Sequence, residues 1–113
     1  MGEGIGKVLS MLLAIASSKD ATVLIDEFDN GLHYSVMREV WSAVARIARD
    51  FNVQLITTSH SWECLVAAHE FFCTEKTYDL RIHRLDRRAD WIDATEYNQK
   101  QIEMAIASGM ELR

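Results

Sequence analysis

Proline is absent from the 113 residues, and cysteine occurs only twice. Without proline, no residue breaks a helix or strand interior by lacking its N–H, so element boundaries must come from glycine, asparagine and short polar runs. Cys64 and Cys73, nine positions apart, are too few for a disulfide framework and show no nearby metal-ligand spacing. They read as free thiols of a reducing, cytoplasmic compartment. Long apolar runs are also missing. The longest, Val8 to Ala16, is interrupted by Ser10 and falls far short of the roughly 20 residues that span a bilayer. Gly2-Glu3-Gly4 is not the basic start of a secretory signal. Positive charge is scarce as well: 12 Lys and Arg face 17 Asp and Glu, for a net charge of −5. Phosphate neutralisation dominates nucleic-acid affinity, so this balance weighs against the chain gripping nucleic acid by itself.

With 49% hydrophobic and 26% charged residues, the composition is that of an ordinary globular chain, and residues 1–113 read as one domain burying about two thirds of its unfolded surface. At its centre stands Thr22-Val23-Leu24-Ile25-Asp26-Glu27, a β-branched and aliphatic run that ends in two adjacent carboxylates. An uncharged run of this kind predicts a strand of a parallel sheet, buried on both faces. Ligands of open α/β sheets bind at the carboxyl ends of the strands. Asp26 and Glu27 are therefore candidates for holding a metal and activating a water.

Around this strand the periodicity predicts helices and a second strand. Ile5, Val8, Leu9, Leu12, Leu13 and Ile15 recur at helical spacing, predicting a helix from about Gly4 to Ser17. Val36, Val40, Trp41, Val44 and Ile47 predict another from about Tyr34 to Asp50, with Trp41 as a core anchor and Asn52 closing it. Val53 to Thr58 then reads as a strand parallel to the first, in a right-handed βαβ unit that brings Glu27 and His60 to one sheet edge. Ser61 is a candidate N-cap for a shorter helix through His69. Leu80 to Leu85 and Trp91 to Glu96 flank Arg87-Arg88-Ala89-Asp90 as a hairpin. Asn98 with Gln101 predicts a capping box for a last helix ending at Gly109.

Four short motifs, in order over about residues 1 to 62, carry a family resemblance. Ile25-Asp26-Glu27 after Val23-Leu24 resembles a Walker B motif. Asp29-Asn30-Gly31-Leu32-His33 resembles the segment leading into the D-loop of ABC-type ATPases. Leu55-Ile56-Thr57-Thr58-Ser59-His60 resembles a strand ending in their switch histidine, and Gly2-Glu3-Gly4 resembles a diverged signature motif. The chain is thus similar to the C-terminal half of AAA ATPases related to ABC, SMC and OLD-family proteins. The P-loop, Gly-x-x-x-x-Gly-Lys-Ser/Thr, is missing: Gly6-Lys7 is followed by Val8, and no glycine stands five residues before Gly6.

The resemblance implies a three-layer α/β P-loop NTPase fold of parallel core strands with a C-terminal hairpin and helix, and ATP and Mg²⁺ as cofactors. It implies Asp26 as the metal residue, Glu27 as general base, and His60 on the γ-phosphate or the attacking water. Gly2 and Gly4, opening a helix, would face a nucleotide held by an opposite subunit, although Met1 stands where the signature serine is usual. A carboxylate beside Asp26 in a partly desolvated site is expected to be a better base than one in water. A homodimer, or a partner chain supplying the P-loop, would complete the site, and nucleic acid would be contacted only through the complete protein.

Other readings stay open. Two glycines near a terminus also suit a flexible start, and Asp26-Glu27 also suits a strand end turning into solvent. His33 suits an interface or a surface loop. His69 and His83 read as structural or solvent-exposed, and Arg81, Arg84, Arg87 and Arg88 as solvated hairpin charge or a partner patch. At the level of function, a non-catalytic binding or regulatory module derived from such an ATPase is the main alternative. A metal-dependent nuclease using Asp26, Glu27 and Asp29 is another.

Overall fold

A computed structural model describes residues 2 to 109. Helix α1 (Gly2–Ala16) leads into strand β1 (Thr22–Ile25), and a 3₁₀ turn (Tyr34–Val36) opens helix α2 (Met37–Asp50). Strand β2 (Gln54–Thr57) and helix α3 (Trp62–Cys73) follow. Strands β3 (Ile82–Arg87) and β4 (Ile92–Tyr97) and helix α4 (Gln99–Ser108) complete the described order. The elements match those expected from the periodicity, with boundaries moved by a few residues.

β1 and β2 pair in parallel, with Thr22 opposite Gln54 and Ile25 opposite Thr57. β3 and β4 form a separate antiparallel ladder running from Ile82 opposite Tyr97 to Arg87 opposite Ile92. α2 is the crossover that a parallel pair requires. Asn52, just beyond α2, and Asp20, just before β1, both stand in left-handed backbone, at φ 53° and φ 63°. The Asn52 amide donates to Asp20 Oδ1 at 3.0 Å, joining the loop before β1 to the loop before β2.

The main core lies between the helices and one face of the parallel pair. Ile15 from α1, Phe28, Val44 from α2 and Cys64 from α3 are almost fully enclosed, and Val23, Ile25 and Leu55 pack against this cluster. Trp41 is the anchor expected of it. Its ring stacks on Phe28 with centroids 4.1 Å apart, and its Nε1 donates to the Cys64 carbonyl at 3.1 Å. A smaller cluster of Ile82, Ile102 and Ala105 packs the hairpin and α4 against Trp62 and Leu65 of α3.

The other face of the parallel pair differs from the expectation of a strand buried on both sides. Leu24 is 74% exposed and Ile56 50% exposed. Of the three expected layers, the described residues supply the sheet and the helical layer on one face. The alternation of inward Val23 and Ile25 with outward Leu24 follows from the two-residue period of a strand. Nothing among the described residues covers the outer half of this apolar pattern.

The caps are as expected from the side chains. The Ser61 hydroxyl accepts from Cys64 N–H at 3.2 Å at the start of α3. Asn98 and Gln101 form a reciprocal capping box on α4, and Gly109 closes it at φ 75°. Both cysteines are free thiols. In the hairpin, Arg81 pairs with Glu96, Arg84 with Asp86 and Arg88 with Asp93. Much of the basic cluster is therefore spent on neighbouring carboxylates, as solvated hairpin charge.

Candidate functional site

The parallel register decides what meets at the carboxyl end of the sheet. Because Ile25 lies opposite Thr57, the residues that follow each strand run side by side. The ladder continues one step further, with Thr58 N–H donating to Ile25 O at 3.1 Å and Phe28 N–H to Thr58 O at 2.9 Å. Asp26 and Glu27 thus form a turn beyond β1, held against the segment Thr58-Ser59-His60.

Thr58 holds that turn. Its hydroxyl donates to Asp26 Oδ1 and accepts the Glu27 N–H at 2.8 Å. One hydroxyl therefore orients the first carboxylate and fixes the backbone of the second. Glu27 sits at φ 51°, a left-handed conformation that a residue with a Cβ adopts at a cost of about 1–2 kcal/mol. Strain of that kind persists only where the surroundings impose it. Here the imposing groups are Thr58 on one side and Phe28, fully buried against Trp41, on the other.

Two further contacts tie neighbouring elements to the turn. From α1, the Lys7 ammonium donates to the Glu27 carbonyl at 2.6 Å. From the segment before α3, Ser59 Oγ donates to Asp29 Oδ1 at 2.6 Å and accepts the Ser61 N–H at 3.0 Å. Beneath this pair, burial pushes the Cys64 thiol up to about 11, opposed by its hydrogen bond with Ser59 and reinforced by the Asp29 charge. Such a thiol is protonated at neutral pH and packs as an apolar group.

The structure brings together Asp26, Glu27 and the start of the loop carrying His60, and all three side chains are exposed. Among the described residues Glu27 is open to solvent, above the buried Phe28. Gly2 and Gly4 fall in the first turn of α1, where backbone N–H groups have no partner within the helix. A Cβ added to Gly4 would lie 3.5 Å from Gly31 O and 3.6 Å from Leu32 Cδ2. The glycine end of α1 thus packs on the segment after the acidic turn. Met1, where the signature serine is usual, lies outside the described residues.

His33 has a local role: its Nδ1 accepts the Ser35 N–H at 3.2 Å and caps the 3₁₀ turn. Gly4, Val8, Leu32, His33 and Val40 line a mostly apolar cleft of about 480 Å³ between α1 and α2. Asp26, Glu27 and Asp29 do not form a three-ligand metal cluster among the described residues. Asp29 accepts a hydrogen bond from Ser59.

Reasoning from the residues missed Lys7, Thr58 and Ser59. In the sequence Thr58 is one of three consecutive hydroxyl residues, and Lys7 follows a glycine as a P-loop lysine would. Hydroxyls that follow a strand paired with an acid-terminated strand are the signal that would have marked Thr58 and Ser59. Lys7 carried no such signal, since its contact depends on how α1 docks.

Comparison with known proteins gives this geometry its context. Residues 1–66 match a family model described as "AAA domain, putative AbiEii toxin, Type IV TA system". An ATP/GTP phosphatase of Helicobacter pylori (strain ATCC 700392 / 26695) is 35% identical over 65 residues, which is 55% of this chain and 18% of that protein. The chain thus spans under a fifth of this curated relative. A solved structure from work on the structural biochemistry of ATP-driven dimerization and DNA-stimulated activation of SMC ATPases superposes with a TM-score of 0.61. It shares 14% identity, and the match covers 96% of this chain and 61% of the other, so the likeness is one of fold, the P-loop NTPase fold. The family match spans more than half of the chain and contains both the acidic turn and the Thr58-Ser59-His60 segment, and the chain belongs to this AAA-domain family of ABC-like ATPases.

Proposed function

We propose that the chain forms the Walker B and switch half of an ATP-hydrolysing site. The observation that carries this reading is the Thr58 hydroxyl, which donates to Asp26 and accepts the Glu27 N–H across the ends of two parallel strands. It supports two adjacent carboxylates with different assignments. Asp26, steered by Thr58, suits Mg²⁺, which takes one or two carboxylates and keeps waters and phosphate oxygens as its other ligands. The ion would supply neutralisation of charge developing on the transferred phosphoryl group.

Glu27 acts as the general base, accepting a proton from the water that attacks the γ-phosphate. A general base contributes about 10²–10⁴-fold in rate, and its position must be fixed to do so. Thr58, the Lys7 contact and the left-handed backbone at Glu27 fix it here. His60, two residues beyond Thr58, hydrogen-bonds the γ-phosphate or the attacking water. Gly2 and Gly4 offer unpaired N–H groups at the positive end of α1 to a phosphate.

The same reading requires phosphate-cradling groups from a P-loop, supplied by a preceding segment or by a partner chain. A homodimer, or a dimer with such a partner, assembles the composite site, as ATP drives dimerization in the SMC ATPases of the structural relative. The exposed Leu24 and Ile56 favour association over a solitary chain. They also support the second reading, a non-catalytic binding module that docks through this face.

The test is Mg²⁺-dependent ATP hydrolysis by the 113-residue chain, alone and supplied with a P-loop in cis or in trans, with Glu27→Gln as control. Activity that appears only with the P-loop and is lost in Glu27→Gln supports the composite site. Nucleotide-independent association with no hydrolysis in any combination supports the binding module.

A further inference from the structure

Away from the acidic turn, α3 and α4 bring three side chains of different chemistry to one point. His69 and Cys73 stand one helical turn apart on α3, at the four-residue spacing that places both on one face. Glu103 reaches the same point from α4. The ligand atoms of the three all lie within 4.8 Å of one another. His69 Nε2 is 3.2 Å from Cys73 Sγ, close to the separation of about 3.5 Å that a sulfur and a nitrogen adopt on a tetrahedral zinc ion. The spacing that matters here is His69-x-x-x-Cys73, within one helix, and not the nine positions between Cys64 and Cys73.

Two neighbours prepare the cluster. His69 Nδ1 lies 2.8 Å from Tyr78 Oη, so one ring nitrogen is engaged while Nε2 faces the thiol. A hydrogen bond on the second imidazole nitrogen is what orients metal-bound histidines. Gln99 donates to one Glu103 oxygen at 3.1 Å. Among the described residues, no ion pair supplies Glu103 with a cation. His69 is 8% exposed while Cys73 and Glu103 are open to solvent, which gives an ion an entry path and leaves a coordination position for water.

We propose that His69, Cys73 and Glu103 form a Zn²⁺ site that fastens α4 to α3. The mixed nitrogen, sulfur and oxygen set suits a borderline-soft ion, whereas Mg²⁺ and Ca²⁺ prefer oxygen alone. Coordination takes Cys73 as thiolate and releases its proton to solvent. The site lies apart from Asp26 and Glu27 in sequence and in element, so it stands or falls independently of the ATPase reading.

The direct probe is Co²⁺ and Zn²⁺ titration of the 113-residue chain. The expected result is one ion per chain, a thiolate-to-cobalt charge-transfer band with tetrahedral visible bands, and displacement of Co²⁺ by Zn²⁺. Cys73→Ser removes the charge-transfer band. Glu103→Gln weakens Zn²⁺ binding by more than about tenfold, and Tyr78→Phe by about 10–100-fold, as for other partners of metal-bound histidines. Cys73 and Glu103 are exposed, so circular dichroism of their variants should match the parent. A cobalt spectrum without a thiolate band, or Zn²⁺ affinity unchanged in Cys73→Ser, would overturn the site. Affinity unchanged in Glu103→Gln would overturn the three-ligand assignment.

Discussion

Thr58 and Glu27 hold the tightest claim at the scale of single residues. Thr58→Val keeps the β-branched shape but removes a hydroxyl that serves both Asp26 and the Glu27 N–H. A loss of about 1–2 kcal/mol in unfolding free energy is expected, two exposed hydrogen bonds each at the lower end of the usual worth, measured by urea denaturation. Glu27 offers a sharper check, because its backbone is left-handed. Glu27→Gly should be more stable than Glu27→Ala by about 1 kcal/mol, reversing the usual order of these residues. An alanine variant at least as stable would show that the turn does not impose this conformation. Asp26 and Glu27 were legible as candidates from their place after an apolar run. Thr58 was not, since a hydroxyl among Thr57, Thr58 and Ser59 acquires a role only once the register sets it beside Asp26.

Elements were the most legible scale, for a physical reason. Helical periodicity, caps and turn residues act locally, so Ser61, the Asn98–Gln101 box and Gly109 could be read in place. The 3₁₀ turn at Tyr34–Val36 was read as helix because its cap, the His33 ring, is an uncommon one. Phe28 carries no sequence signal, since it stands alone between acids with no period to mark it. Yet it couples the acidic turn to α2 through Trp41. Phe28→Ala should cost about 3–5 kcal/mol, as for other buried aromatics. Thermal unfolding should show the lowered midpoint, and a loss under about 1 kcal/mol would deny Phe28 its anchoring role.

For the whole molecule, the informative feature is an apolar strand face left open. The run containing Leu24 has the residue types of a sheet covered on both faces, and residue type cannot say what does the covering. Replacing Leu24 and Ile56 with Lys should leave the folding of the chain within about 0.5 kcal/mol, as for surface positions, while lowering self-association seen by light scattering. Unchanged association would place the contact elsewhere. The family and the P-loop NTPase fold are the setting of the proposed account, in which this chain brings carboxylates and another segment brings the phosphate cradle. That account is tested most directly by Mg²⁺-dependent ATP turnover of the chain supplied with a P-loop, compared with Glu27→Gln in the same assembly. The account predicts turnover that falls by about 10²–10⁴-fold in Glu27→Gln while ATP binding persists. Turnover retained in Glu27→Gln would contradict it.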